Sequence, residues 1–395
     1  MWPCAPMVSL LAALEALYVP LQVRESFPGL AHCIEVLGVY GERLTLSMPD
    51  LVREAVALEI ARGVARDIGG ADPERMTPCA TACYLTDVFH DTEIRMRIEQ
   101  DTACIQSQYP LMAAVGRASD TIERHRSCVI YLEYEPACYE TTVMLVGKGV
   151  TYDTGGCDIK TNGHMAGMSR DKCGAAAIAG FVKACELLQP PIKVIATLGM
   201  TRNSVGENAY VADELIKSRL GYAVRIGNTD AEGRMVMADL LAEMVERAFS
   251  EKCPHLYTVA TLTGHAVRAY GEPYTAVVDN YVAARTGHAY ALQSAGAQLG
   301  DMLEVSQLRR EDLAMHRPRM AGDQVHQASN KPSDCLPRGH QAPVAFMLLV
   351  SGVDRAEMAY THLDVAGSAG LLPTPPTAAP LLTLAAHYDL LHYND

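Results

Sequence analysis

Three short stretches of the 395-residue chain concentrate groups able to do chemistry. VGKGVTYDTGGCDIK (146–160) sets Lys148, Asp153, Asp158 and Lys160 in a glycine-rich segment. MSRDKCGAAA (168–177) adds Asp171 ahead of an alanine-rich run, and NTDAEGR (228–234) brings Asp230, Glu232 and Arg234. In Asp230-Ala231-Glu232 an i, i+2 spacing in extended backbone points both carboxylates to one side. Carboxylates that converge from three separate loops repel one another unless a cation neutralises them. The expected chemistry is therefore divalent-metal binding, with one or two ions. Each residue alone has a plainer reading. Asp171 before a helix is an ordinary N-cap, Asp230 and Glu232 suit a solvated turn, Lys148 and Lys160 are surface-type residues, and Arg234 fits a helix surface. Only their joint occurrence carries the metal reading.

Other motifs are weaker. The glycines meet neither the GxxxxGK[ST] nor the GxGxxG spacing of a phosphate loop, and HExxH is absent from the chain. His265, His340 and His362 are candidate polar contacts in a cleft, though for each a satisfied structural role is the simpler reading.

The elements that must position these groups alternate between strand and helix patterns from about residue 125. CVIYLEY (128–134), TVMLVG (142–147), KVIATLGM (193–200), AVRIGNT (223–229), HLYTVATLTG (255–264) and THLDVAG (361–367) read as strands. GAAAIAGFVKACELL (174–188), RMVMADLLAEMVERAF (234–249) and PLLTLAAHYDLLHY (380–393) read as helices. This alternation predicts an α/β fold, a mostly parallel central sheet flanked by helices on both faces. Chemistry in such sheets gathers beyond the carboxyl ends of the strands, where Lys148, Asp153, Asn203, Asp230, Glu232, Thr261 and Thr263 fall. Earlier, residues 48–70 place Leu51, Val52, Ala55, Leu58 and Ile60 near helical spacing, closed by Gly69 and Gly70. Residues 317–341 are rich in Pro, Gly, Asn and His and predict a long loop.

Composition bounds the rest. Hydrophobic residues at 49% and charged residues at 20% are ordinary for a globular chain, which argues against wholesale disorder and against many membrane spans. A net charge of −13 repels phosphate backbones, so nucleic acid is not an expected partner. The apolar first twenty residues lack a preceding Lys or Arg and are interrupted by Glu15, so a docking helix is expected there instead of a signal peptide, and no membrane partner is expected. The scattered cysteines suit a reducing, cytoplasmic setting.

With these motifs in view, the chain resembles the leucyl aminopeptidase family, cytosolic dinuclear metallo-aminopeptidases whose signature NTDAEGR stands here unaltered. VGKG, YDTGG, the lysine of DIK, the aspartate of MSRD and ATLTG (260–264) occur in the family's order. The resemblance covers about residues 50–395, and DTGGCDIKTNGHMAGMSRDK looks like a divergent animal branch. It implies Asp153 and Glu232 as bridging ligands, Asp230 completing one metal site, and Lys148 with Asp171 completing the other. It implies Lys160 and Arg234 as catalytic residues that bind no metal, with bicarbonate at Arg234 as general base. Met168 and Ala366 would line the substrate side-chain pocket, with Thr261 and Gly264 beside it. The implied cofactors are two divalent ions per chain, Zn or Mn, with Mg as a third option. The implied activity is release of amino-terminal, Leu-like residues from peptides through a two-metal activated water, by a cytoplasmic homo-oligomer, trimer or hexamer. A rival reading is a catalytically weak structural paralogue that keeps fold and metal.

On this resemblance the chain divides into a shortened amino-terminal segment (1–48), a joining helix (49–70) and a catalytic metallopeptidase domain (71–395). It departs from the family's pattern at Asp158, expected to add negative charge beside Lys160, at the loop 333–343 with Arg338 and His340, and at PTPPTAAP (373–380).

Overall fold

The structure, a computed structural model, describes residues 4–31, 34, 36–39 and 48–391. Parts of the 1–48 segment, and the last two residues of the expected 380–393 helix, lie outside the described residues. The strands are β1 (Arg95–Glu99), β2 (Cys128–Tyr134), β3 (Thr141–Asp153), β4 (Ile192–Asn203), β5 (Leu215–Lys217), β6 (Ala223–Arg225), β7 (Pro254–Ala260), β8 (Thr275–Asp279), β9 (Leu303–Gln307), β10 (Val325–His326) and β11 (Ala359–Asp364).

The main sheet has the order β1-β2-β4-β3-β7-β11-β8-β9. Its centre, β4-β3-β7-β11, is parallel, as is β8 with β9, whereas β1–β2, β2–β4 and β11–β8 are antiparallel. Period-two alternation along β3 sends Val143 and Leu145 to one apolar core and Met144 and Val146 to the other. The first core is covered by helices Met48–Gly70, Cys173–Leu188, His288–Leu299 and Leu381–His387; the second by Pro110–Gly116, Glu232–Ala248 and Gln341–Ser351. A sheet buried on both faces needs such near-continuous apolar strands, which is why they are legible in the sequence.

Several expectations are corrected. The expected 380–393 helix runs only over Leu381–His387, and the expected 255–264 strand ends at Ala260. AVRIGNT does not join the main sheet: only Ala223–Arg225 is strand, in a small sheet of order β10-β6-β5. The amides of Gly227 and Asn228 donate to the side-chain oxygen of Gln327 at 3.0 and 3.1 Å, so the ladder stops where a side chain takes over its donors. In the helix Met48–Gly70, Leu51, Ala55 and Leu58 are buried as expected, Val52 is half-buried, and Ile60 is exposed. At 100° per residue Ile60 falls on the face opposite the Leu51–Ala55–Leu58 stripe.

The helix Ala5–Glu15 docks on Met48–Gly70 by burying Met7, Leu10 and Leu11. Arg62 pairs with Glu15 and Glu59, Arg66 pairs with Glu59, and Arg66 donates to the carbonyl of Pro376 at 3.1 Å. Asp67 accepts from the hydroxyls of Tyr18 and Tyr84, at 2.9 and 2.8 Å, and from Arg24.

At the amino end of β7 the rings of His255 and His288 stack with centroids 3.8 Å apart, and His387 meets His288 edge-on at 4.8 Å. Tyr257 and Tyr388 close the cluster through their hydroxyls. Burial pushes His288 down to about 3 and His255 well below the ordinary imidazole range. Because the unfolded chain takes up these protons near pH 6.5 and the folded one does not, the stability they confer is full above that pH. It is lost as pH falls from there toward 3. His288→Gln, which keeps a hydrogen-bonding group without titrating, is expected to flatten the fall in urea midpoint between pH 6.5 and 4.5; equal slopes in the two proteins would refute this.

Candidate metal centre and cleft

β3 runs past the expected Gly147 as far as Asp153, and its pairing with β4 shifts register between Val150 and Asp153. The turn that follows needs Gly155 and Gly156, whose φ values of 87° and 65° disfavour a side chain. Asp153 is buried: one oxygen accepts from the amide of Gly155 and the side-chain amide of Asn203, both at 2.8 Å, and the other lies 2.9 Å from Lys160 Nζ. Lys160 also pairs with Asp230.

Asp171 does not cap the helix Cys173–Leu188. Lys172 holds the cap position, and Asp171 Oδ1 instead accepts from Lys148 Nζ at 2.7 Å and Thr261 Oγ1 at 2.9 Å. Lys148 reaches Glu232 Oε1 at 2.7 Å and the carbonyl of Thr261 at 3.0 Å. Contrary to expectation, Asp230 and Glu232 do not lie in extended backbone. Asp230 sits in a turn closed by its amide donating to Asn228 Oδ1 at 2.7 Å, and Glu232 is the first residue of its helix. The two carboxylates still face the same cleft, but the tight group, with carboxylate oxygens within 4.8 Å of one another, is Asp153, Asp171 and Glu232; Asp230 stands beyond Lys160.

Burial pushes Asp230 up to about 7, reinforced by Asp153 and Glu232, and raises Asp171 well above the carboxylate range against the pull of Lys148. For Lys148 burial favours the neutral amine, yet Asp171, Glu232 and Asp153 together outweigh it and hold the ammonium. Arg234 is buried, donates to the carbonyl of Gln327 at 3.0 Å, and is lowered by burial to about 10, still a cation at neutral pH.

Lys148, Asp153, Lys160, Asp171, Asp230, Glu232 and Arg234 line one cleft of about 690 Å³, together with Met168, Thr261, Gly264 and Ala366. Met168 lies in the short turn Met168–Arg170, and Gly264 opens a helix capped by Thr263. His265, His340 and His362 do not line the cleft. His265 and His340 share a contact at 2.7 Å, and His362 bonds Thr258 Oγ1 at 2.7 Å inside the sheet. Asp158 does not pair with Lys160: it accepts from the amide of Thr229 at 2.7 Å and ties the two acidic loops together. Arg338 turns to the buried Asp312, at 2.6 and 2.8 Å, while Ser333, Asp334, Cys335 and Leu336 of the same loop line the cleft.

Two positioning groups escaped the sequence reading. Asp364, at the end of β11, accepts from the hydroxyl of Thr263 at 2.6 Å and the amides of Leu262 and Ala366 at 3.1 Å. Its place at a strand's carboxyl end was the available signal. Gln327, fully buried, lies in the irregular segment, where no pattern marks it.

Residues 63–383 match the catalytic domain of the cytosol aminopeptidase family. The chain belongs to that family. A Caenorhabditis elegans protein that carries an aminopeptidase name is 41% identical over 99% of this chain and 76% of its own length. The crystal structure of cytosol aminopeptidase from Coxiella burnetii is 26% identical, with a TM-score of 0.74 over 87% of this chain and 71% of that one. The bottromycin maturation enzyme BotP in complex with Mn shares the fold, with a TM-score of 0.76 at 24% identity, over 87% of this chain and 72% of that one. The chain spans about half the length of other curated relatives it matches. Among the described residues no helix is long and apolar enough to cross a membrane.

Proposed function

We propose that this protein is a metal-dependent aminopeptidase of the leucyl type that releases hydrophobic amino-terminal residues from peptides in the cytoplasm. One observation carries the reading: three buried carboxylates crowd within 4.8 Å on the floor of a cleft, and Asp171 Oδ2 and Glu232 Oε2 have no hydrogen-bond partner. Buried, unpartnered anionic oxygens are costly unless a cation meets them. The donor set, carboxylates and one primary amine without thiolate, suits Zn, Mn or Mg, and the Lys148 ammonium of the metal-free protein would have to release its proton to serve as that amine.

Lys148, Asp153, Asp171, Asp230 and Glu232 would hold two such ions. Bound there, divalent ions supply Lewis-acid polarisation and an activated water. Lys160, on the cleft wall, offers its ammonium to the oxyanion that develops at the scissile carbonyl. Arg234 presents a planar fork suited to a small oxyanion such as bicarbonate. Met168, Thr261, Gly264 and Ala366, with Leu262 and Val267 beside them, offer a surface for an apolar first side chain. Asn203 and the amide of Gly155 keep Asp153 oriented while Lys160 approaches its other oxygen.

The test is hydrolysis of a leucyl anilide and of Leu-initiated peptides by full-length protein stripped of metal and then reloaded with Mn or Zn. Activity that requires both metal and a free α-amine is expected. Failure with every metal, with two ions bound, would favour the weak structural paralogue, and cleavage of N-acetylated peptides would overturn the aminopeptidase reading. We further propose a homotrimer or hexamer. Light scattering at micromolar concentration is expected to report at least three chains, and a monomer would refute it.

A further inference from the structure

We propose that Gln327 is the positioning residue that fixes the NTDAEGR loop and aims Arg234 into the cleft. The inference rests on the aminopeptidase reading of that loop and adds a residue to its machinery. Gln327 directly follows β10, and Gly227 lies two residues past the end of β6; β10 pairs in parallel with β6 through Val325–Val224 and His326–Arg225, and the Gln327 backbone amide adds one more bond, to the carbonyl of Arg225 at 2.8 Å. Past the end of this short ladder the pairing is continued by one side chain. Its oxygen accepts from the amides of Gly227 and Asn228 at 3.0 and 3.1 Å. Its nitrogen donates to the carbonyls of Asn228 and Ala231, both at 2.9 Å. The backbone carbonyl of the same residue accepts from Arg234 at 3.0 Å.

Every hydrogen-bonding site of the amide is therefore used, and the residue is completely buried. The four bonded groups bracket Thr229 and Asp230 and end one residue before Glu232. The two segments approach so closely that a Cβ on Gly227 would stand 1.9 Å from the carbonyl oxygen of Ala328. A loop in neither helix nor sheet has no ladder of its own to hold it. Here Asp158, Asn203 and Tyr210 hold Thr229, at 2.7, 3.1 and 2.8 Å, and the four bonds of the Gln327 amide hold the residues on either side of it. Loss of the amide would leave the Gly227 and Asn228 amides and the Ala231 carbonyl without these partners, while the Asn228 carbonyl keeps its bond from the Ala231 amide at 3.2 Å, which favours loosening of the loop over a merely weaker version of the same geometry. A displacement of about 1 Å at reacting groups costs roughly a hundredfold in rate.

The experiment compares wild type, Gln327→Leu and Gln327→Glu as full-length protein. At saturating metal and substrate, Gln327→Leu is expected to lower kcat about a hundredfold with KM changed less than threefold. Amide hydrogen exchange in a peptide spanning 227–234 should quicken while the core helix Cys173–Leu188 exchanges as before. Gln327→Glu keeps the acceptor half and replaces the donor half, so it should preserve part of the protection yet still lose kcat, and it carries the test if the leucine variant fails to fold. Unchanged kcat in folded variants, or unchanged exchange across 227–234, would overturn the proposal. If the wild type itself hydrolyses nothing, the aminopeptidase reading fails, while the exchange measurement still decides whether Gln327 holds the loop.

Discussion

Lys160→Met is expected to lower turnover by at least about a hundredfold while the metal bound per chain stays the same. Lys160 is the cation on the cleft wall whose ammonium touches Asp153 and Asp230. Those two carboxylates are also candidate metal ligands, so in the metal-free protein the lysine and a metal compete for the same oxygens. Removing the lysine frees both carboxylates and cannot weaken metal binding through them. In the role proposed for Lys160, what disappears is a preorganised donor for the developing oxyanion, and loss of one such donor costs about 10²–10³ in kcat. Metal analysis of dialysed protein beside steady-state kinetics checks both halves. A variant that lost metal, or one that kept its turnover, would remove Lys160 from the role assigned to it.

Lys148→Met is expected to act in the opposite way, on metal content and on the stability of the metal-free protein. The Lys148 side chain is 3% exposed and sits 2.7 Å from both Asp171 and Glu232, whose own side chains are 7% and 2% exposed. Removing one partner from a buried charge network leaves the others uncompensated, at a cost of about 3–5 kcal/mol. Protonation of Asp171, already favoured by burial, would relieve part of it. Urea midpoints of metal-free protein should therefore fall for Lys148→Met, and metal stoichiometry should drop from two ions per chain toward one. Wild-type affinity for two ions together with an unchanged midpoint would show that Lys148 is neither ligand nor structural countercharge.

Much of this molecule is legible in its sequence because the determining signals are local. The strand β2 and the helix Cys173–Leu188 follow from runs of apolar residues with the right period. NTDAEGR puts two carboxylates and an arginine within seven residues, and a turn followed by a helix start turns all three into one cleft, although the backbone is not the extended segment that the spacing suggests. Only Asp153 takes its place from the carboxyl end of a central parallel strand; Asp171 comes from the turn before a helix and Glu232 from the helix start after the small sheet, so their grouping is only partly legible.

What the tertiary structure alone decides is how those loops are held. Gln327 and Arg234 are 93 positions apart, and Asp364 and Thr263 are 101 apart. No period or spacing links such pairs, because each hydrogen bond depends on where two distant backbones come to rest. Asp158 shows the same limit: its charge was legible, but whether it faces Lys160 or Thr229 depends on how the two loops pack. Composition and local pattern by themselves determine the layers, the central strands and the chemical inventory of the cleft, since these depend on residue type and short-range periodicity. The small sheet of β10, β6 and β5 and the partner of each buried polar group are decided only by the folded chain, where long-range packing selects among contacts that are equally available to the unfolded one.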